Sequence, residues 1–188
     1  MEITEIFYPE DRQAWRDWLQ THHQTKTEVW LQRYVKASGR PSISYDALVE
    51  ECLCFGWIDG VVKKRDADSN VQRITPRRKK SFLSELNRQR VWKLRELGLM
   101  TPAGEAALGD QVGSPDDPWE IPAWIREQLV ADPRVWEQFR AFPPLYQRLK
   151  IGWVVETGKT RREEAQRRLD HLIAMTRKGR RYGTEPLS

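Results

Sequence analysis

The fold is decided by residues 44–78, SYDALVEECLCFGWIDGVVKKRDADSNVQRITPRR, in which a helical pattern gives way to two strand-like runs. Ser44 has the residue type of a helix N-cap, and the pattern after it continues until Gly56 ends the helix. Residues 58–65 and 70–76 contain β-branched side chains and flank the polar turn DADSN. This stretch therefore predicts a helix followed by a β-hairpin.

The segments around this stretch add a strand and further helices. Residues 28–35, EVWLQRYV, have the β-branched and aromatic composition of a strand, with apolar side chains on both faces. A first helix is predicted after Pro9, Ser84 is placed to cap a long helix, and Thr101-Pro102 would begin a shorter one. Together the patterns predict an α+β body with a small antiparallel or mixed sheet of three or more strands and packed helices.

A segment rich in Gly, Pro and Asp, residues 111–118, separates this body from a purely helical pattern. Four helices are predicted beyond it, over residues 122–131, 133–141, 144–156 and 160–178. A Thr160-x-x-Glu163 capping box would begin the last of them. We therefore expect an α+β body over residues 1–112 and an all-helical C-terminal segment over residues 119–188.

Composition places the chain among globular proteins with a heavily charged surface, since 39% of its 188 residues are hydrophobic and 31% are charged. No apolar run approaches the roughly 20 residues of a membrane span, and acids stand where a signal peptide is basic and apolar. The two cysteines, Cys52 and Cys54, are near neighbours on a predicted helix and cannot form a disulfide with each other. These features predict a cytoplasmic protein without membrane insertion.

Positive charge is concentrated in two segments of a chain whose formal net charge is +5. Residues 61–95 hold twelve Lys or Arg and three acids, and residues 159–181 hold nine Lys or Arg and three acids. Such segments can bind an anionic partner, either a small ligand or a nucleic acid. Solvated lysines and arginines are also common on protein surfaces that bind nothing.

Several motifs resemble the bacterial bacteriocin-protection family, also called the YdeI or OmpD-associated family. They are LCFGWIDG at residues 53–60, QRITPRR at 72–78, and SFLSELNRQRV at 81–91. Residues 142–173, FPPLYQRLKIGWVVETGKTRREEAQRRLDHLI, are similar to the C-terminal helical segment of that family. Two positions depart from its usual pattern: Leu83 stands where Trp is common, and Leu145 where Ser is common. The resemblance implies a role in the envelope or in antimicrobial defence, and it implies no reaction and no cofactor.

The candidate ligand site lies where the hairpin meets the following basic loop and helix. It comprises Trp57, Asp59, Arg73, Thr75, Arg77, Arg78, Ser81, Ser84 and Asn87. A five-residue hairpin loop would place Asp59 opposite Arg77 as an ion pair, and Lys63 opposite Arg73 as a like-charge pair that an anion would stabilise. The run from Arg77 to Lys80 also leads into a helix N-terminus, whose free N–H groups favour negative charge. In the alternative interpretation Asp59 and Arg77 only staple the hairpin, and a one-residue register shift would remove both pairs.

No metal site and no catalytic residue is predicted. Cys52 and Cys54, two positions apart on a helix, point about 200° away from each other and cannot share a metal ion. The three histidines form no motif with metal-ligand spacing, and no glycine-rich phosphate loop is present. The nine tryptophans are spread along the chain, which favours packing in the core over one stacking platform for bases.

The leading hypothesis is a non-catalytic binding or stress-associated protein that holds a small anionic ligand near residues 73–78, without a cofactor. A nucleic-acid-binding module that uses residues 159–181 together with 77–80 is the second hypothesis. An enzyme that acts on an anionic substrate through Asp59 and the arginines is the third. A small ligand requires a concave site, whereas a nucleic acid requires one continuous basic face. The sequence indicates no partner protein.

Overall fold

The computed structural model describes residues 2–79, 81–158 and 161–183. The chain divides into two compact units, Met1–Leu83 with Arg90–Gly113, and Ser84–Gln89 with Ser114–Ser188. Three residues that entered the predictions, Lys80, Lys159 and Thr160, lie outside the described residues.

The first unit contains a four-stranded mixed sheet with packed helices, which confirms the predicted α+β class. Its strands are β1 (Ile6–Phe7), β2 (Val29–Tyr34), β3 (Trp57–Lys64) and β4 (Ser69–Pro76). The sheet order is β1-β2-β4-β3, with β1 parallel to β2 and the other pairs antiparallel. The first helices in chain order are α1 (Arg12–His22), α2 (Tyr45–Phe55), α3 (Glu85–Glu96) and α4 (Pro102–Leu108). The residues of α3 up to Gln89 group with the second unit.

Capping residues determine where these helices begin and end. Ser44 Oγ accepts a hydrogen bond from a first-turn N–H of α2, and Gly56 ends that helix in the left-handed conformation at a φ of 73°. Thr101 Oγ1 accepts a hydrogen bond from the Gly104 N–H at 3.3 Å and donates one to the Cys54 carbonyl at 2.6 Å. Thr101 therefore caps α4 and ties its start to the end of α2.

Two elements at the N-terminus differ from the sequence pattern. Helix α1 begins at Arg12 rather than directly after Pro9, because the Asp11 carboxylate accepts a hydrogen bond from the Ala14 N–H. Strand β1 has only two residues, Ile6–Phe7, and a segment this short has no recognisable periodicity.

The register of the hairpin also differs from the prediction. Asp59 pairs with Ile74, and Lys63 pairs with Val71. The predicted pairs were therefore wrong, since neither of these β3 residues faces an arginine across the ladder. Lys63 instead extends over the Trp30 ring, with its Nζ 5.3 Å from the ring centroid.

Two local features produce this register. The turn begins one residue earlier than predicted, and the Asp66 carboxylate stabilises it by accepting hydrogen bonds from the Asp68 N–H at 2.9 Å and the Ser69 Oγ at 2.8 Å. The ladder then shifts within β3, where Gly60 and Val61 lie opposite the single residue Arg73. Such a β-bulge changes every pairing beyond it.

The core of the first unit lies between one face of the sheet and the helices. Val29 and Leu31 of β2, Ile74 of β4 and Trp57 of β3 are all buried there. Strand residues two positions apart share a face, so Gln72 and Asp59, which neighbour these positions in the ladder, also point toward this side. The polar residues of this face thus lie at the edge of an apolar core.

All the regular elements among the described residues of the second unit are helices, which confirms the predicted helical segment. Its helices after α3 are α5 (Ala123–Val130), α6 (Pro133–Ala141), α7 (Pro144–Gly158) and α8 (Arg162–Arg177). Its core is formed by Ile125, Leu129, Val135, Phe139, Ile151, Val154, Leu169 and Leu172. Asp132 caps α6 by accepting hydrogen bonds from the N–H groups of Arg134 and Val135, with Pro133 at the first helical position.

Residues Ser84–Gln89 are held to α7 by polar contacts and by close approach. Glu156 Oε1 accepts a hydrogen bond from the Glu85 N–H at 2.7 Å, and Arg148 Nε donates to Glu85 Oε1 at 2.6 Å. At Gly152 an added Cβ would lie 2.6 Å from the Cβ of Glu85. The small residue on α7 therefore allows the first turn of α3 to pack against this helix.

Replacing Glu156 by glutamine is expected to stabilise the protein at neutral pH. Burial raises the pKa of Glu156, and this effect outweighs the hydrogen bond from the Glu85 N–H, which lowers it. Because the pKa is raised in the folded protein, the contribution of the carboxyl to stability is fully present at pH values below its pKa in the unfolded chain. This contribution is lost as the pH rises through its pKa in the folded protein. Glutamine keeps the acceptor oxygen without the buried charge.

The measurement is urea unfolding of the parent and of Glu156→Gln at pH 7 and at pH 4. We expect the variant to be more stable at pH 7 and to lose this advantage at pH 4, where the parent carboxyl is protonated. The control Glu156→Ala removes the acceptor and is expected to be less stable than Glu156→Gln at both values. A Glu156→Gln protein less stable than the parent at pH 7 would contradict the raised pKa.

Candidate functional site

Asp59 lies on the helix-facing side of the sheet and accepts two hydrogen bonds on one oxygen. Its Oδ2 accepts from the Tyr45 Oη at 2.9 Å and from the Gln72 Nε2 at 2.8 Å. Gln72 is buried, whereas Tyr45, the first residue of α2, is 46% exposed. Oδ1 accepts no hydrogen bond from the described residues. Asp59 therefore stands at the border between core and solvent with one oxygen available.

Arg33 reaches the same place from β2, on the other side of β4 from Asp59. Its guanidinium carbon lies 5.5 Å from the centroid of the Tyr45 ring, and its Nη2 donates to Gln72 Oε1 at 3.3 Å. The two ends of the Gln72 amide thus contact Arg33 and Asp59. One amide group separates the positive charge from the negative one.

Arg77 approaches from the end of β4. Its backbone N–H donates to the Gly56 carbonyl at 2.8 Å, so the strand end and the end of α2 meet. The side chain is 8% exposed, and its Nη2 donates to the carbonyls of Ser81 and Phe82 at 3.1 and 2.7 Å. Its Nε is buried without a hydrogen-bond partner among the described residues. Arg77 therefore retains a buried N–H donor.

We call this group the Asp59 cluster. It consists of Arg33, Tyr45, Asp59, Gln72 and Arg77. Arg90 borders it, since its buried guanidinium pairs with Asp46, the residue after Tyr45 on α2. The charge of Arg90 partly opposes the rise in the pKa of Tyr45 that burial causes.

The Asp59 cluster contains two positively charged side chains, Arg33 and Arg77, that are partly removed from water. Neither Arg33 nor Arg77 has a carboxylate oxygen within 4.0 Å among the described residues. Burial lowers the pKa of both guanidiniums, and the charge of Asp59 opposes this shift in each. Burial, with the charge of Asp59 and its hydrogen bond, raises the pKa of Tyr45 to about 12. Tyr45 is therefore a hydrogen-bond donor at neutral pH.

The other predicted site residues of the two strands lie outside this cluster. Arg73 is next to Ile74 in β4 and so points to the opposite face of the sheet, where its Nε donates to Glu28 Oε2 at 2.7 Å. Thr75 shares the face of Arg73. Trp57 is 1% exposed and packs edge-on against Trp18 in the core, at a centroid distance of 5.8 Å. These side chains contribute to the fold.

The remaining predicted residues close turns or cap helices. Ser81 Oγ accepts a hydrogen bond from the N–H of the exposed Arg78 at 3.1 Å, and the Ser81 N–H donates to the Arg78 carbonyl at 2.8 Å. Ser84 and Asn87 belong to the second unit, where Ser84 Oγ accepts from the Asn87 N–H at 3.1 Å and caps α3. The predicted cap at Ser84 is thus present.

Three members of the Asp59 cluster were not predicted from the sequence: Arg33, Tyr45 and Gln72. A signal for two of them was present in the two central strands. Arg33 stands two positions after Leu31, and Gln72 stands two positions before Ile74, so both polar residues lie on the helix-facing side. Polar residues on a face that packs against helices require an explanation. Tyr45 follows the Ser44 cap and had no separate signal.

Three arginines of the second basic segment pair with acids of their own unit. Arg167 and Arg168 both pair with Glu164, and Arg177 pairs with Asp132. These contacts reduce the positive charge that the described part of the segment offers to a nucleic acid.

Both cysteine thiols are buried. Burial raises the pKa of Cys54 to about 11 and that of Cys52 well above its ordinary value, so both thiols are protonated at neutral pH. Among the described residues no group of three or more His, Cys, Asp or Glu side chains could hold a metal ion. Within the same residues no helix has the length and apolar character needed to cross a membrane.

The fold and the site define an α+β protein whose mixed sheet carries a partly buried polar cluster with two arginines and whose C-terminal unit is helical. Residues 7–107 match the family model described as Domain of unknown function (DUF8412), and residues 118–179 match the model described as Bacteriocin-protection, YdeI or OmpD-Associated. The chain belongs to the DUF8412 family, whose model covers more than half of it, and it carries a C-terminal domain of the bacteriocin-protection, YdeI or OmpD-associated family.

The second match confirms the suspected family, and it includes the quoted residues 142–173. The motifs at residues 53–60 and 72–78, by contrast, fall within the first model. No curated protein and no solved structure matches the chain.

Proposed function

We propose that the protein is a non-catalytic binding protein that holds a small anionic ligand at the Asp59 cluster. The supporting observation is the pair Arg33 and Arg77, which are desolvated without a carboxylate within 4.0 Å among the described residues. Removing a charged group from water costs free energy unless an opposite charge compensates for it. A bound anion would supply that charge.

The exposure of the cluster fits a small ligand that enters from the side of Tyr45. Tyr45 is exposed, Arg33 and Asp59 are half-buried, and Arg77 is buried. Guanidinium groups present parallel N–H donors that match the oxygens of carboxylate, sulfate and phosphate groups. The proposed chemistry is therefore an oxyanion, whether organic or inorganic.

This geometry favours a small ligand over a nucleic acid or a catalysed reaction. The phosphates of a nucleic acid stay at the protein surface, whereas Arg77 is mostly buried. A catalytic acid or base works best when its pKa lies near the working pH, and Tyr45, at about 12, lies far from it. The cytoplasmic location expected from composition remains part of this proposal.

Replacing Arg33 by glutamine is expected to weaken anion binding by about tenfold or more, because a charge-assisted hydrogen bond is lost. The variant should fold, since burial already disfavours the charge of Arg33. The measurement is the saturable rise in Tm with phosphate, sulfate and acetate at constant ionic strength, which converts to an apparent Kd.

The matched control is Arg40→Gln, which removes an exposed arginine that contacts Tyr34 outside the cluster. It should leave the ligand-induced shift unchanged. The proposal fails if none of these anions produces a saturable shift in the parent, or if the two variants lose affinity equally.

A further inference from the structure

Asp59 is held apart from the arginines of its own cluster. It has no guanidinium nitrogen within 4.0 Å among the described residues, although its charge acts on both Arg33 and Arg77. An acid whose role was only to neutralise an arginine would gain more from a direct charge-assisted hydrogen bond. Instead Gln72 lies between Arg33 and Asp59, with its amide oxygen on the first and its amide nitrogen on the second.

The free acceptor of Asp59 disfavours a ligand that is only an anion. Tyr45 and Gln72 both donate to Oδ2, which leaves Oδ1 without a donor among the described residues. A ligand that carried only negative charge would be attracted by Arg33 and Arg77 and repelled by this carboxylate. The cluster therefore offers two kinds of contact side by side, arginine donors for an anion and a carboxylate oxygen for a donor.

We infer that the ligand is a compact molecule in which an oxyanion and a hydrogen-bond donor, either an ammonium or a hydroxyl group, are separated by one or two atoms. The oxyanion binds the half-buried Arg33, with the charge of Arg77 acting on the same site, and the donor binds Asp59 Oδ1. The short separation follows from Gln72, since one amide group spans the distance between the Arg33 and Asp59 contacts. Small amino acids and 2-hydroxy acids have this chemistry.

Tyr45 orients the two charged groups of the site. Its hydroxyl is committed to Asp59, and Arg33 lies over its ring, so the ring keeps both charged groups in place. The raised pKa of Tyr45 means that this hydroxyl remains a donor throughout the neutral range. Asp59 therefore stays oriented, with Oδ2 occupied and Oδ1 directed to the ligand.

The inference rests on the proposed anion binding, and the test separates the two. Calorimetric titration at pH 7 and constant ionic strength compares propionate, lactate, alanine and β-alanine, with inorganic phosphate as a simple anion. In the parent protein we expect at least one of lactate, alanine and β-alanine to bind about tenfold tighter than propionate, because the added donor gains a charge-assisted hydrogen bond to Asp59.

The variant Asp59→Asn is expected to reverse this preference. It should lose about tenfold or more in affinity for the preferred donor-bearing compound. It should also bind propionate more tightly than the parent does, because the repulsion between the Asp59 carboxylate and the anion is gone. The matched control is Asp68→Asn, which removes an exposed acid of the hairpin turn and should bind as the parent does. The comparison of ligands in the parent needs no variant and so does not depend on the folding of Asp59→Asn.

Each outcome decides one of the two claims. If propionate or phosphate binds the parent at least as tightly as lactate, alanine and β-alanine do, the inference about ligand class is overturned while anion binding stands. If Asp59→Asn keeps the preference for the donor-bearing compound over propionate, Asp59 is not the acceptor of that donor and the inference is likewise overturned. If no compound binds the parent, the proposed function falls and the inference with it.

Discussion

Replacing Gly104 by alanine is expected to lower the free energy of unfolding by about 3 kcal/mol or more. On helix propensity alone the same change would stabilise α4 by about 1 kcal/mol, because alanine is the better helix former. Packing reverses the sign. A Cβ at Gly104 would lie 2.2 Å from the Cys54 carbonyl oxygen and 2.7 Å from that of Leu53. Both are backbone atoms near the end of α2, so only a movement of α4 away from α2 can relieve the contact.

The measurement is equilibrium unfolding in urea, with Ala106→Gly as the matched control. Ala106 is an exposed residue of the same helix, so its change to glycine should cost only the propensity term of about 1 kcal/mol. A Gly104→Ala protein as stable as the parent would contradict the close approach of α2 and α4.

Replacing Glu51 by glutamine is expected to cost about 3 kcal/mol of stability. Glu51 is fully buried on α2, and its two oxygens pair with Arg12 Nε at 2.5 Å and Arg16 Nη1 at 2.7 Å. Removing one partner of a buried ion pair typically costs about 3–5 kcal/mol, because the remaining charge is desolvated and unpaired. The lower value applies here, because the arginine side chains retain 38% and 23% of their exposure.

The adjacent residue provides the control. Glu50 pairs with Arg12 Nη1 at 2.6 Å, but its side chain is more exposed than that of Glu51. Glu50→Gln should therefore cost less than about 1 kcal/mol, as expected of partly solvated ion pairs. Urea unfolding of both variants under one condition tests the difference. Equal losses would show that burial of Glu51 adds nothing to its pairing.

The contrast between Glu51 and Asp59 supports different roles for two acids of one unit. Glu51 is neutralised by direct contact with two arginines, as expected of a group that joins α1 to α2. Asp59 lies near two arginines that it does not contact, and it keeps one acceptor oxygen. The first arrangement is complete within the protein, whereas the second leaves an acceptor oxygen that the proposed ligand would bind.

Features that depend on neighbouring residues could be predicted from the sequence. The caps at Ser44, Gly56, Thr101 and Ser84 were predicted, because each needs only a side chain or a left-handed backbone within one helical turn. The helical character of the second unit was predicted in the same way, from periodicity over a few turns. Each strand of the hairpin was also predicted, to within one residue at either end.

The set of side chains that share the site depends on contacts between distant segments of the chain. The bulge at Gly60 and Val61 and the earlier turn changed the partner of Asp59, and the alternation of strand faces placed Arg73 on the other side of the sheet. Arg33 reaches Asp59 from a different strand, through a pairing with no local signal in the sequence. A cap is set by contacts within a few residues, whereas a polar cluster is set by packing between segments that the chain brings together only on folding.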